Sequence, residues 1–419
     1  RAIREWWIKW FGESSDYSEM NVLFLTLARI SDIEERGIYT DLMREFVRHG
    51  HTMYIVVPAE RRFHQPTEML DGGNVKILRV WTFNIQKSNL IEKGIGTLLL
   101  EYQYQKAIQK YWKNAKFDLI LYSTPPITFN KVIAALKKKG AKTYLLLKDI
   151  FPQNAVDLGM FSKDSFLYRM FRKKEERLYQ LSDYIGCMSP ANVDYVLMHN
   201  REVDTCRVEV CPNSIELCRG EERLCPNEAL LQKLSIPIDK ILFIYGGNLG
   251  RPQGIDFLIE VLAANEKRND SFFIIVGNGT EFMKIKLWFD QNTPHNACLL
   301  SSLPKQEYDG LVRVCNVGLI FLDRRFTIPN FPSRLLSYLE NRMPVLMATD
   351  KNTDIGEIAR TNGFGLWTES GNIETFMEMV DFMTADRERI KMMGENGYAY
   401  LEANYTVKHS YNIIMRHFE

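Results

Sequence analysis

Two kinds of apolar spacing alternate along the chain. Short runs that are apolar at nearly every position are followed by longer stretches in which apolar residues recur at helical spacing. The first series of runs is NVLFLTL (21–27), TMYIVV (52–57), VKILRV (75–80), FDLILYS (117–123), KTYLLL (142–147), DYIGCM (183–188) and RVEVCP (207–212). A second series follows: KILFIYGG (240–247), SFFIIVG (271–277), NACLLSS (296–302), NVGLIFL (316–322) and PVLMAT (344–349). Strands that are apolar throughout, with helices between them, are what a parallel sheet covered on both faces requires, because neither face of such a strand meets water. Two series predict an α/β chain of two doubly wound, Rossmann-like domains.

The break between the series is LCRGEERLCPNEALLQKLSIPIDK, which is polar, then helical, then turn-like, and puts the boundary near 216–238. The expected domains are therefore 20–216 and 217–385, with a helical, strandless end at 386–419 that is expected to pack back on the first domain. Residues 1–19 read as an extension, because MNVLFLTLARI from Met20 looks like a start. In that extension Ile3, Trp6, Trp7, Trp10 and Phe11 can share a helical face near Arg1, Arg4 and Lys9, the pattern of an interfacial helix. In open α/β sheets ligands bind beyond the carboxyl ends of the strands, so two such domains predict a site in an interdomain cleft.

Composition narrows the function classes. With 419 residues, 46% apolar, 25% charged and a net charge of +1, the chain reads as a soluble two-domain protein and not as a general nucleic-acid binder. Seven cysteines without a CxxC pair suggest reduced cytosolic thiols, and seven histidines without HExxH spacing indicate no protein-bound metal. No apolar run reaches the roughly 18 residues of a membrane-spanning helix. The G-x-G-x-x-G fingerprint is missing after the first strand, where LARISDIEERGIYTDLM stands, which speaks against a nicotinamide or flavin enzyme and leaves no cofactor indicated.

The loops after the second series of strands carry the candidate chemistry. In YGGNLGRPQG, Gly246, Gly247 and Gly250 permit close backbone approach, Gly254 opens a helix whose start can face an anion, and Arg251 is a cation within reach. Gly277 and Asn278 sit in a second glycine loop, VGNGTE, and Pro304 suits a helix start after the third strand. In FTIPNFPSRLLSYLENRMPVL, Asn330 can cap, Pro332 fits a first turn, and the free amides around Phe331, Ser333 and Arg334 would face an anion beside the Arg334 cation. Singly, each of these is equally an ordinary strand–helix turn. In series on one edge of one sheet, they point to a nucleotide-diphosphate site.

These motifs, together with LPKQEYDGLV, LLLKDIFPQNAVDLGMF and MSPANVDYV…CPNSIE, make the chain from Met20 onward resemble the family 4 retaining glycosyltransferases of the GT-B fold. Within that family it is most similar to the bacterial capsule and O-antigen branch, which includes proteins described as fucosamine transferases. The resemblance implies a metal-independent enzyme that takes a nucleotide-diphosphate sugar, expected to be a UDP-sugar, with the diphosphate at the 246–250 loop and at the start of a 331–341 helix. It places Gly277 and Asn278 near the nucleotide and Leu303 at the base. Relatives usually carry Arg and Lys in the first loop, where Asn248 and Gln253 stand here, and a Glu-x7-Glu pair where Pro329 and Ser337 stand. Thr327 and Asn330 are then the nearest polar candidates for the sugar hydroxyls. A nucleotide-sugar 2-epimerase shares the bilobed fold but fits these motifs less well, and a bilobed solute-binding protein is expected to carry a secretory signal that the tryptophan-rich start does not resemble.

On the acceptor side, Lys148 and Asp149 end a first-domain strand where relatives have His-Asp or Arg-Asp facing the reacting sugar. Asp149 can accept a hydrogen bond from an acceptor or donor hydroxyl, or else serve as a cap or pair with Lys148. Gly37 would let the first domain approach the donor phosphates, and STPP (123–126) is either a further cleft loop or a rigid turn. FLYRMFRKKEERLYQ (166–180) mixes aromatic residues with Arg169 and Arg172–Lys174, as does a helix lying on an anionic membrane or one simply turning its apolar face inward. The resemblance favours the former, with an undecaprenyl-diphosphate-linked saccharide as acceptor at the inner face of the cell membrane.

Overall fold

The computed structural model describes residues 18–85, 90–217 and 228–418. The tryptophan-rich extension and the middle of the predicted boundary segment lie outside the described residues. All twelve apolar runs are strands, trimmed or extended by a few residues at their ends. They are β1 Asn21–Leu25, β2 Thr52–Glu60, β4 Val75–Thr82, β5 Leu119–Ser123, β6 Lys142–Leu147, β7 Tyr184–Cys187 and β8 Val208–Val210 in the first series. The second comprises β9 Ile241–Asn248, β10 Ser271–Asn278, β11 Ala297–Leu300, β12 Val317–Phe321 and β13 Val345–Thr349. Two more strands were not anticipated: β3 Glu68–Asp71, a mostly exposed edge strand that runs antiparallel to β4, and β14 Gly365–Glu369 beside β13.

One sheet has the order β3-β4-β2-β1-β5-β6-β7-β8, and the other β11-β10-β9-β12-β13-β14. In both, the chain reverses direction of travel across the sheet, from β4 to β5 past β1 and from β11 to β12 past β9, which creates the switch point at which α/β proteins bind ligands. By Cα packing the chain divides into two compact units. One consists of 1–145, 181–183 and 411–419, the other of 146–180 and 184–410.

In the first unit β1 is wholly buried beyond its first residue, consistent with its VLFL run. The C-terminal Tyr411 belongs here: its hydroxyl lies 2.8 Å from His51 Nε2, its ring meets Phe46 edge-on at 4.9 Å, and His49 stacks on it at 4.1 Å. The Met20 amide donates to His51 Nδ1, so the neutral ring presents Nε2–H to the tyrosine, and burial holds the His51 pKa down at about 4. In the second unit the core under the six-stranded sheet is aromatic. Phe243 and Phe273 stack at 4.8 Å across β9 and β10, while Phe257, Phe321 and Phe376 meet at 5.5–6.2 Å on the helix-covered face. Each such side chain contributes about 1.5–3 kcal/mol by leaving water, enough to make the strand tips a rigid base for the loops they carry.

Candidate active site

The tips of β9 and β10 approach each other backbone to backbone, and their sequence is what allows it. A Cβ on Gly277 would stand 1.8 Å from the Gly247 carbonyl oxygen, and one on Gly246 would stand 1.9 Å from the Tyr308 hydroxyl. The clash at Gly277 is with backbone and makes glycine necessary there, while Gly246 is buried under the Tyr308 side chain and Gly247 leaves exposed backbone at the strand tip. After β9 the chain makes one 3-10 turn at Arg251–Gln253, passes Gly254 at φ 55°, and enters the helix Ile255–Asn265. Beside it, Asn248 Nδ2 donates to Gln253 Oε1 at 3.4 Å, and Arg251 is exposed and pairs with Glu281 at 3.6 Å. Asn278 Nδ2 donates to Ser302 Oγ at 2.8 Å, which ties the second glycine loop to the segment leading into Leu303 and the helix Lys305–Val314.

Arg334 reaches this loop from the other side. The helix expected over 331–341 is shorter, Arg334–Glu340, because Pro332 and Ser333 form the turn before it. Its seat is set by Tyr338, whose ring lies where a Cβ on Gly318 of β12 would be, 2.3 Å from the nearest ring carbon. The Tyr338 hydroxyl donates toward the Ile244 and Leu319 carbonyls (3.1 and 3.3 Å) and accepts from the Gly246 amide at 3.3 Å. Thus fixed, the helix holds the half-buried Arg334 guanidinium 4.2 Å above the centre of the Tyr245 ring, with Nη2 3.4 Å from where a Gly247 Cβ would lie. Among the described residues Arg334 Nη1 is buried without a hydrogen-bond partner. A guanidinium held on a ring face, with an unused donor beside the exposed Gly247 backbone, is suited to an anion.

The remaining sequence candidates of the second unit fall in two groups. Ser333 Oγ accepts from Asn213 Nδ2 at 2.8 Å, Phe331 packs edge-on to Tyr405 at 6.2 Å, and the Asn330 carbonyl accepts from Thr353 Oγ1 at 2.6 Å while Asn330 Nδ2 is buried without a partner among the described residues. Thr327 gives both its amide (2.8 Å) and its hydroxyl (2.9 Å) to the Asp157 carboxylate. Lys148 and Asp149 follow β6. Asn154 Nδ2 donates to both Asp149 oxygens at 2.8 and 2.9 Å, and Lys148 Nζ donates to the Cys211 carbonyl at 3.3 Å. Burial pushes the Asp149 carboxyl up to about 6 and draws the Lys148 ammonium down to about 8. In the first unit, Gly37 is extended at φ 177° just before the helix Ile38–Arg48, and its amide donates to Asp41 Oδ1 at 2.9 Å.

Four contributors escaped the sequence reading: Tyr245, Tyr308, Asn154 and Asn213. Tyr245 sits inside an apolar strand run, where an aromatic residue reads as core. Only the proximity of Arg334, distant in sequence, gives it a second role. The two asparagines lie in quoted motifs but carry no spacing signal of their own.

Residues 38–219 match the family model described as Glycosyltransferase Family 4, and residues 226–400 match that described as Glycosyl transferases group 1. The chain belongs to the family 4 glycosyltransferases. Among curated relatives, this glycosyltransferase is 25% identical over 287 residues to "Probable glycosyltransferase WbjE" of Pseudomonas aeruginosa, covering 67% of this chain and 68% of that one. It is 24% identical over 299 residues to "Putative colanic acid biosynthesis glycosyl transferase WcaI" of Escherichia coli (strain K12), covering 68% and 69%. Among solved structures it superposes on the sucrose-phosphate synthase of Thermosynechococcus elongatus with a TM-score of 0.72 at 13% identity, over 96% of this chain and 98% of the other. Anabaena HepE, solved in complex with UDP-glucose, gives a TM-score of 0.66 at 14% identity, over 96% and 99%. The fold is GT-B, two parallel-sheet α/β domains, as the motifs implied.

Proposed function

We propose that this glycosyltransferase moves a sugar from a UDP-sugar to a lipid-linked saccharide during surface polysaccharide synthesis, with retention of configuration and without a metal. The observation that carries the donor half is Arg334: an arginine whose buried Nη1 has no hydrogen-bond partner among the described residues, stacked on Tyr245 beside the exposed Gly247 backbone. In this reading the diphosphate lies against the glycine loop, and Arg334 stabilises the charge that develops on the leaving phosphate, the task a metal performs elsewhere. The acceptor hydroxyl attacks from the face that the diphosphate leaves, and its proton passes to the departing phosphate oxygen. Asp149, with its raised pKa and its fixed hydrogen bonds from Asn154, is the group assigned to orient a sugar hydroxyl.

Support for a UDP-sugar comes from the structural neighbours, since HepE was solved with UDP-glucose and an E. coli neighbour with UDP-2-fluoro glucose. Support for a surface-polysaccharide acceptor comes from the name of WcaI. Attachment to the inner face of the membrane is assigned to the helix Phe166–Leu181, where Phe166 is 73% and Leu167 49% exposed beside the exposed Arg169 and Lys173. Among the described residues no helix is long and apolar enough to cross a membrane.

The test is Arg334→Ala, assayed for UDP binding and for turnover with a UDP-sugar that raises the melting temperature. The expected result is a loss of two to three orders of magnitude in turnover, about what removing one preorganised oxyanion-stabilising donor costs, with the fold retained. Wild-type turnover would overturn the reading. Addition of EDTA is expected to leave the rate unchanged.

A further inference from the structure

An open cavity of about 940 Å³ lies in the second unit, apart from the glycine loop, between the helices Phe166–Leu181 and Pro190–His199 and the segment around Thr327 and Pro329. Its wall is polar and aromatic together: Tyr168, Tyr195, Gln153, Arg172, Glu175 and His199 are the side chains that define it.

Three features fix what such a cavity can hold. First, its cations are already engaged or outnumbered. Arg172 donates to Glu175 Oε2 (2.7 Å), to the His199 carbonyl (2.8 Å) and to Asn200 Oδ1 (2.6 Å), so its charge is spent within the wall. Lys163 is then the one other Lys or Arg among the described lining residues, against Glu175, Glu176 and Asp194. A phosphate or nucleotide would meet net negative charge there. Second, the wall offers ring faces and hydroxyls of the kind that pack against the C–H faces of a sugar while hydrogen-bonding its rim. Tyr195 stacks on His199 at 4.0 Å, which leaves its phenol rigid, and its hydroxyl hydrogen-bonds to nothing among the described residues. Third, the wall is wired to the segment that leads into Arg334. Tyr168 donates to Gln153 Oε1 at 3.2 Å, Gln153 Nε2 donates to Asp157 Oδ1 at 2.8 Å, and that carboxylate holds the amide and hydroxyl of Thr327. Thr327 and Pro329 themselves form part of the cavity wall.

We infer that this cavity is a saccharide subsite, which takes uncharged sugar residues of the acceptor glycan. It rests on the glycosyltransferase reading, which requires a glycan acceptor, and extends it by naming where that acceptor's sugars are gripped. The Tyr195 phenol is the group that touches them. The Tyr168–Gln153–Asp157 chain is how their arrival is felt at Thr327.

Saturation-transfer NMR on the full chain, with cellobiose, lactose and N,N′-diacetylchitobiose as probes and UDP present in excess, tests the assignment. At least one disaccharide is expected to give a signal. Tyr195→Phe, which removes one hydrogen-bonding hydroxyl, is expected to weaken it by up to about tenfold, and Asp194→Trp, at an exposed lining position, is expected to abolish it. The rise in melting temperature produced by UDP should persist in both variants, which shows that they fold and keeps this test separate from that of the donor site. Arg334→Ala should give the converse pattern, a lost UDP shift and a retained saccharide signal. No signal from any of the three sugars, or a signal indifferent to both cavity substitutions, would overturn the subsite while leaving the donor reading intact.

Discussion

The Arg334 guanidinium lies 4.2 Å above the Tyr245 ring, while the hydroxyl of that tyrosine donates to the Asn248 carbonyl at 2.7 Å. One side chain thus holds the two halves of the proposed diphosphate site, the cation by its face and the glycine loop by its edge. Loss of the ring is expected to free the guanidinium. Tyr245→Leu should weaken UDP binding by about 1–2 kcal/mol, roughly five- to thirtyfold, the scale of a desolvated cation–π contact. Tyr245→Phe keeps the face and should recover most of that loss. Calorimetric titration checks this with uridine as the control ligand: uridine carries no diphosphate, so its affinity should not follow the ring.

Gly277→Ala tests the backbone approach itself. The added methyl would stand 1.8 Å from the Gly247 carbonyl oxygen, at a φ of 152° that side chains rarely adopt, so the β9 and β10 tips must part. Overpacking of this kind costs about 1–3 kcal/mol of stability, to be read from urea unfolding. The greater effect is expected on UDP affinity, because the displaced carbonyl belongs to the loop that faces the phosphates. Full UDP affinity in a destabilised variant would place the nucleotide elsewhere.

How far these features were legible in the sequence depended on how local their cause was. The twelve strands were readable because a strand buried on both faces must be apolar throughout, and that is a property of a few consecutive residues. β3 escaped because EMLD lies on an edge with most of its residues in water, so nothing demanded an apolar run. β14, GLWTE, is short and closes on polar residues, which hid it among loops. The glycine loops were visible as loops, but the reason Gly277 must be glycine is the carbonyl of Gly247 on the neighbouring strand. Thr327 was nominated for the sugar because it is polar and close to the motif. Its hydroxyl is held by Asp157, a partner that no local pattern reveals.

Asp149, as the group proposed to orient a sugar hydroxyl, is expected to give the activity an acid limit. Burial raises the Asp149 carboxyl to about 6 and lowers the Lys148 ammonium to about 8. An ionised Asp149 is the form that accepts a hydroxyl hydrogen bond, so turnover should rise as pH passes about 6. The stability effect of Asp149 has the opposite slope. Its folded pKa lies above the ordinary 3.8, so between about 4 and 6 the native state keeps a proton that the unfolded chain has released. That contribution is complete below about 4 and lost by the time pH exceeds 6. Asp149→Asn should therefore remove the acid limb of the rate profile and, above pH 6, raise the melting temperature relative to wild type. A rate profile with its acid limb unchanged in this variant would exclude Asp149 from the chemistry.

Arg172 offers the clearest test of a buried charge in the cavity wall. Glu175 is 4% exposed, and burial already raises its carboxyl above the ordinary range even though Arg172 pulls it back. The Arg172 guanidinium and the Tyr179 hydroxyl, at 2.7 and 2.8 Å, are what keep the ionised form tolerable. Arg172→Ala would leave that carboxylate buried without its counter-charge, which costs about 3–5 kcal/mol. The remedy open to the protein is protonation: without Arg172 the Glu175 pKa rises further, so the native state takes up a proton as pH falls and recovers stability. The deficit measured by urea unfolding should thus be large near pH 7 and shrink toward pH 5. Arg172→Ala combined with Glu175→Gln should restore part of the loss at neutral pH, because the second change removes the stranded charge rather than another contact. A deficit equal at both pH values and additive in the double variant would show that Arg172 stabilises this wall by packing alone.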